Sequence, residues 1–397
     1  MTMSTLHTVT THKKYRELLA EWAAQNANTH DAGACGRTAE DSPVLVAFRT
    51  RPPMDGEVEL FDAPLDDEET DDEAQTPKPP ASVVKIAAQR APEEFMCGVS
   101  VRPDSMVVHV PNMTWKGTGL LHKLYPADIC FGPEADNAAV YEHTVKASGL
   151  FQLAMQGGVG CVLAYGQTSA GKTYSMLGIE LALARDLFAC LPAAEFEVEA
   201  TFLELLGTKA RDLMCTGEES KTIEIREDET GNVRPNLVTQ LVRDAQELEQ
   251  LILRCLGHRR TEQTSRNAES SRSHAVLTIR LKNIASGGRV GEIILIDLAG
   301  SERHADSKKH STARLQETRD NNTSLLALKD CVRARVSGAT LVPFRTSKLT
   351  LLLKPIFDRK STRPTRTIVI AHVSPHIQDA EHSANTLQYV SPFKSLR

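Results

Sequence analysis

Gly166-Gln167-Thr168-Ser169-Ala170-Gly171-Lys172-Thr173 decides how this chain folds. The spacing is that of a phosphate-binding loop, and the flanks suit it. Cys161-Val-Leu-Ala-Tyr165 is a short apolar run fit for a buried strand, and the residues from Tyr174 onward can open a helix. Glycines let the turn fold so that successive backbone N–H groups converge on phosphate oxygens, helped by the positive end of the helix dipole. Lys172 is then placed to reach β- and γ-phosphates, and the Thr173 hydroxyl to ligate Mg²⁺.

Two motifs downstream strengthen this reading. Asp297-Leu-Ala-Gly300-Ser-Glu302 follows the apolar run Glu292-Ile-Ile-Leu-Ile296. An Asp in that position stands at the C-terminal edge of a sheet strand, where α/β proteins bind ligands. There it can hold Mg²⁺ through water, while Gly300 offers an unobstructed backbone N–H to a γ-phosphate. Asn267-Ala-Glu-Ser270-Ser271-Arg272-Ser273-His274 precedes the alternating run Ala275 to Leu281. Alone it would be a polar turn before a strand. Phosphate loop, serine-rich loop and Asp-x-x-Gly in that order are the parts of a switch that senses a γ-phosphate.

These stretches resemble the kinesin motor domain. The likeness extends through Phe48-Arg49-Thr50-Arg51-Pro52, Ala164 to Tyr174, Asn267 to His274 and Leu295 to Arg303. It continues through Asn322 to Leu328, Val342 to Thr350 and Asn385 to Tyr389, all in the family's order, so it covers the chain from about Val44 to Lys394. The resemblance implies an α/β P-loop NTPase of kinesin type, with a central mixed, mostly parallel sheet covered by helices on both faces. Residues 44–397 form the motor domain in this division, and residues 1–43 form an N-terminal neck-like helix and linker.

The resemblance also implies a site. Arg49 and Pro52 would sandwich adenine, with Tyr174 stacking from the other side. Gly166, Gln167, Thr168, Ser169, Ala170 and Gly171 would cradle the phosphates of ATP or ADP, with Lys172 as the charge. Thr173 and Ser271 would lie at Mg²⁺, Asp297 in its outer shell and Ser270 near the attacking water. Arg272 and Glu302 would form the switch-to-switch ion pair beside Gly300. The chain lacks an Asn-Lys-x-Asp motif, which favours ATP over GTP. Lys329, Arg333, Arg335, Arg345 and Lys348, on the helix near Asn322 and the loop after it, would meet acidic tubulin.

Within the family, Arg260 to Asn267, Ser324 to Ala334 and Pro343 to Thr350 are most similar to the internal-motor class that depolymerises microtubules. That class carries a Lys-Val-Asp hairpin tip, whereas the corresponding Val110 to Gly119 holds no such tripeptide. Residues 305–320 lack the usual glycine, and Thr323 stands where the family usually has lysine. The expected function is an ATPase motor domain that depolymerises microtubule ends. A plus-end-directed transport motor and a catalytically weak microtubule-binding module are the alternatives.

Composition sets the outer bounds. The 397 residues carry a net charge of −5, but eleven acids and no Lys or Arg lie between Pro52 and Pro77. Without them the balance is 40 acidic to 46 basic residues. The acidic stretch, with Pro77, Pro79 and Pro80, reads as a disordered insertion over about 54–82. The eight cysteines are scattered without a C-x-x-C pair, which points to reduced core residues in cytosol or nucleus, and the resemblance implies a place on the cytoskeleton or spindle. No apolar run is long enough to cross a bilayer, and no aromatic-interleaved basic run suggests nucleic acid. Tyr15, Leu18, Leu19 and Trp22 share one face of an N-terminal helix. The motor core is expected to be a monomer, with any oligomerisation left to segments outside it. Residues 26–41 read as a linker, and helices are expected over Ala139–Met155 and Asp244–Leu256.

Overall fold

The computed structural model describes residues 8–26, 43–54, 57, 95–115, 117–192, 194–215, 223–229, 231, 233–266, 272–285, 287–302, 312–358 and 361–396; for residues 8–13, 113, 114, 260–266 and 312–318 this covers the backbone alone. Fourteen strands run in chain order as β1 Val44–Thr50, β2 Val99–Arg102, β3 Ser105–Thr114, β4 Gly117–Pro126, β5 Ile129–Phe131, β6 Val159–Gly166 and β7 Phe196–Leu206, then β8 Lys209–Asp212, β9 Ile225–Glu227, β10 Val233–Pro235, β11 Gln240–Val242, β12 His274–Asn283, β13 Val290–Asp297 and β14 Thr365–Val373. The helices are α1 Thr8–Asn26, α2 Asn137–Thr144, α3 Leu150–Met155, α4 Lys172–Cys190, α5 Ala245–Arg266, α6 Thr312–Val336, α7 Lys348–Leu352, α8 Lys354–Phe357 and α9 Ala380–Val390.

The central sheet has nine strands, ordered β11-β7-β12-β13-β6-β14-β1-β5 with β8 on β7. From β13 to β5 the neighbours are parallel, and from β11 to β13 they are antiparallel. Strands β1 and β6 are buried along their whole length, as expected for strands covered on both faces. Alternate residues then serve two cores. Val44, Val46, Phe48 and Leu163 pack with Leu325, Leu328 and Val332 of α6 and with Leu387 of α9. Leu45, Ala47, Val162 and Ala164 pack with Met176, Ile179 and Leu183 of α4 and with Leu248 and Ile252 of α5.

Three expectations need adjusting. The helix anticipated from Ala139 to Met155 breaks into α2, a short 3₁₀ turn and α3, because Gly149 adopts φ 68°. Helix α5 continues ten residues beyond Leu256, and α6 starts ten residues before Asn322. Residues 27–42 and 58–94, which hold the linker and most of the acidic stretch, lie outside the described residues. One acid of that stretch is described. Glu57 forms an ion pair with Arg51 and accepts from the Met54 N–H at 2.8 Å.

A second, three-stranded sheet, β2-β3-β4, stands beside the first. The anticipated face of α1 packs on it, with Tyr15, Leu18 and Leu19 against Met96, Ile377 and Leu120. Trp22 closes the contact, its ring 4.5 Å from that of His109 and 5.5 Å from that of His122. The β3–β4 hairpin ends at Trp115, which is 91% exposed. Among the described residues seven cysteines are free thiols, and no helix is long and apolar enough to cross a membrane.

Candidate nucleotide site and filament face

The strand-turn-helix of the phosphate loop forms as its residues require. Gly166 ends β6 at φ 153°, and a Cβ there would sit 2.2 Å from the His372 carbonyl oxygen on β14. Gly171 takes φ 95° just before α4, and Ser169 at φ 62° is the one non-glycine with positive φ among the described residues. Lys172 is 6% exposed, and its Nζ donates to the Gln167 carbonyl at 2.8 Å across the loop. Burial pulls its pKa down, against the pull of Asp297 and Glu302. The loop thus gathers its cation and its backbone turn around one point.

Beneath the loop lies a network absent from the motif reading. The Thr173 hydroxyl donates to Asp297 Oδ2 at 2.7 Å, and Arg259 Nη1 donates to the same oxygen at 3.0 Å. Arg259, 2% exposed, also donates through Nη2 to the Ser273 carbonyl at 2.9 Å. Its Nε stands 3.5 Å from Glu204, whose carboxylate accepts from Ser273 Oγ at 2.7 Å and pairs with Arg211 at 3.0 Å. Glu180 is buried nearby, and burial together with Asp297 pushes its carboxyl up to about 8. One guanidinium therefore joins the departure of the serine loop, its return and the Asp of the second switch. In the sequence Arg259 is one cation in His258-Arg259-Arg260 at the end of a helical run, and nothing local sets it apart.

The second switch meets the phosphate loop directly. A Cβ on Gly300 would lie 2.5 Å from Thr168 Oγ1, and the Ser301 N–H donates to the Gly166 carbonyl at 3.1 Å. Burial favours the neutral form of Glu302, but bonds from the Thr168 hydroxyl and N–H outweigh it and hold the carboxyl below its usual range. Glu302 is thus brought to Thr168 and not to Arg272, whose buried Nη1 has no hydrogen-bond partner among the described residues. The expected switch-to-switch pair is not formed in this structure. Ser270 and Ser271 lie outside the described residues.

At the adenine end, the Arg49 guanidinium is already committed. It donates to Asn137 Oδ1 at 2.5 Å, Ser175 Oγ at 2.7 Å and the Ala135 carbonyl at 2.9 Å. Its Cζ lies 5.7 Å from the Tyr174 ring centroid. Two faces enclosing a flat base stand roughly 7 Å apart, twice an aromatic contact, so Arg49 and Tyr174 are too close to sandwich one. Arg49 instead braces Tyr174, whose ring is 67% exposed, and Pro52 is exposed as well.

On the opposite side, the expected filament residues spread over α6 and the segment before α7. Lys329 sits 5.5 Å from the Tyr389 ring centroid, and Arg333 is 3.8 Å from Asp330. Arg345 donates to Glu227 at 2.7 Å, and the same carboxylate takes Lys354 at 2.8 Å. Lys348 opens α7 behind the Ser347–Thr350 capping box. A cleft of about 290 Å³ lies between Arg345 and Lys348, the β7–β8 turn and α6, with His274 and Ser324 among its lining.

Fold and loop together define a nucleotide-hydrolysing α/β protein of the P-loop class. Residues 107–396 match the kinesin motor domain, so the chain belongs to the kinesin motor-domain family. It is 37% identical to the diatom spindle kinesin-1 of Cylindrotheca fusiformis over 284 residues, covering 70% of this chain and 44% of that one. It is 34% identical to the kinesin-like protein KIN-13B of Arabidopsis thaliana over 310 residues, covering 75% of this chain and 44% of that one. The chain therefore spans less than half the length of these relatives. A solved fast kinesin superposes with a TM-score of 0.67 at 24% identity, over 89% of this chain and 92% of that one, which bears on the fold alone.

Proposed function

We propose that this motor domain binds ATP with Mg²⁺ at the 166–174 loop and couples microtubule-stimulated hydrolysis to loss of tubulin from filament ends. The observation that carries the nucleotide half is the joining of Thr173, Asp297 and Lys172 in one buried site below the glycine turn. Among the described residues Asp297 Oδ1 is buried without a hydrogen-bond partner, and the Thr173 hydroxyl is bonded to the other oxygen of the same carboxylate. Two hard oxygen donors so arranged fit Mg²⁺, with Thr173 and Ser271 as ligands and Asp297 behind them. When bound, the ion would neutralise phosphate charge. Lys172 supplies the fixed cation, the Gly300 N–H faces the γ-phosphate, and Tyr174 offers its free face to adenine. Arg272 and Glu302 remain candidates for the closing pair, once Glu302 leaves Thr168.

Support for the depolymerising half is the likeness of 260–267, 324–334 and 343–350 to the internal-motor class, together with kinship to a KIN-13B protein. The β3–β4 hairpin offers an exposed Trp115 where that class carries Lys-Val-Asp. Stabilised, fluorescent microtubules imaged with the protein and ATP separate the outcomes. Shortening from the ends supports the reading, directed gliding of surface-bound filaments replaces it with a transport motor, and decoration without ATP turnover overturns it.

A further inference from the structure

The C-terminal ends of β1 and β14 lie side by side, with Arg49 and His372 as register partners. Ser175, in the first turn of α4, touches both side chains, and all three residues are buried. The Arg49 guanidinium donates to Ser175 Oγ at 2.7 Å, and His372 Nε2 lies 2.7 Å from the same oxygen. The remaining partners decide where the protons sit. His372 Nδ1 faces the Ile370 carbonyl at 3.1 Å, which can only accept, so Nδ1 carries the hydrogen and Nε2 is bare. Burial beside Arg49 and Lys172 pushes the ring pKa down to about 3, which keeps the imidazole neutral. The Ser175 hydroxyl also reaches the Gly171 carbonyl at 3.0 Å, but that oxygen already accepts the Ser175 N–H. The hydroxyl proton therefore goes to His372, and a lone pair is left for Arg49.

This chain of bonds ends at one exposed ring. Arg49 Cζ lies 5.7 Å from the Tyr174 ring centroid, and Asn137, which accepts from Arg49, donates to the Tyr174 carbonyl at 3.0 Å. Ring and backbone of Tyr174 are thus both held, although the side chain is 67% exposed. A buried guanidinium is a firm anchor, because leaving any of its bonds unmade there is costly. A surface side chain ordinarily loses rotamer freedom when a ligand stacks on it, and that loss weakens binding. Here the ring is ordered before any ligand arrives.

We propose that Ser175 and His372 are positioning residues for the nucleobase: through Arg49 they hold Tyr174 as a fixed stacking platform, which selects a purine over a pyrimidine nucleotide. The inference rests on the nucleotide reading above and concerns the base, not the phosphates. Stacking is open to every base, but its strength grows with the ring laid down, and a purine offers two fused rings where a pyrimidine offers one. Such a preference requires no hydrogen bond to the edge of the base.

The test is displacement of a ribose-labelled fluorescent ADP by ADP, UDP and inorganic pyrophosphate, which gives a Kd for each, with the melting temperature as a check on folding. The parent should bind ADP about fivefold or more tighter than UDP, the low end of what stacking one base on an aromatic ring contributes. Ser175→Ala removes the oxygen between Arg49 and His372 at little change in volume. It should weaken ADP about two- to tenfold, the cost of ordering one side chain on binding, and leave UDP and pyrophosphate near the parent's values. Ser175→Thr keeps the hydroxyl and should restore the ADP-to-UDP ratio. His372→Leu, which removes the acceptor of the Ser175 proton, should shift the ratio in the same direction as Ser175→Ala. A Ser175→Ala protein that keeps the parent's ratio would overturn the proposal. So would a loss shared equally by all three ligands, which is what damage to the phosphate loop would give, or a parent that binds ADP and UDP alike. A parent that binds neither ADP nor pyrophosphate would overturn the nucleotide reading itself.

Discussion

The two sides of this molecule handle charge in opposite ways. Around the phosphate loop, Lys172, Arg259, Asp297 and Glu204 are all buried, and Arg259 ties Asp297 to Glu204. On the proposed filament face, Arg333 and Arg345 are well exposed, each with a local carboxylate. Buried charges act strongly over short distances and tolerate no loss of a partner. Exposed ones act weakly, add up, and fade with salt. The first side is thus built for chemistry that depends on position, and the second for contact that depends on number.

The sharpest way to break this contrast is Lys172→Ala. Removing a preorganised cation from a buried site should lower ATP turnover by at least about 10²-fold, with the fold retained because the residue ends a loop. Steady-state phosphate release and circular dichroism together check it, and near-parental turnover would sink the nucleotide assignment. Next comes Arg259→Met, which keeps much of the bulk but strips the partner from Asp297 and Glu204. Leaving such charges buried should cost about 3–5 kcal/mol, seen as a lower urea midpoint at unchanged slope.

A smaller effect concerns Glu180. Its folded carboxyl is raised to about 8 from an ordinary 4.5, so its contribution to stability is whole below about pH 4.5 and is lost as pH rises through about 8. The parent should therefore lose stability across that window relative to Glu180→Gln, by up to about 1.4 kcal/mol per pH unit. Denaturation of both proteins at pH 5, 6.5 and 8 decides it, and parallel curves would count against a buried neutral acid. The least effect should follow Arg333→Ala, an exposed cation on α6. A few-fold rise in microtubule Kd at low salt, shrinking toward none as salt increases, is expected from co-sedimentation, since single surface charges are worth roughly 1 kcal/mol or less.

The legible parts of the site were those whose meaning is local. Gly166 to Thr173 carries its strand, turn and helix within a few residues, and Asp297 is announced by the apolar run before it. Arg259 is different: its partners Glu204, Ser273 and Asp297 come from three separate strands or strand ends, so no spacing along the chain reveals it. His274 stood inside a quoted motif, yet its hydrogen-bond partners Ala299 and Ser324 are brought to it only by the fold. The break at Gly149 was available as a glycine within a helical pattern, and the longer pattern around it masked the signal. Arg49 was assigned from resemblance, and three hydrogen bonds show that its guanidinium has other obligations.

The close approach at Gly166 has a mechanical consequence. With the His372 carbonyl oxygen only 2.2 Å from where a side chain would begin, β14 leaves room for glycine alone at the start of the loop, and any larger residue would push the two strands apart there. The Ser301 N–H is hung from the Gly166 carbonyl itself. The phosphate loop is thus anchored at its strand end both to the neighbouring strand and to the segment after β13.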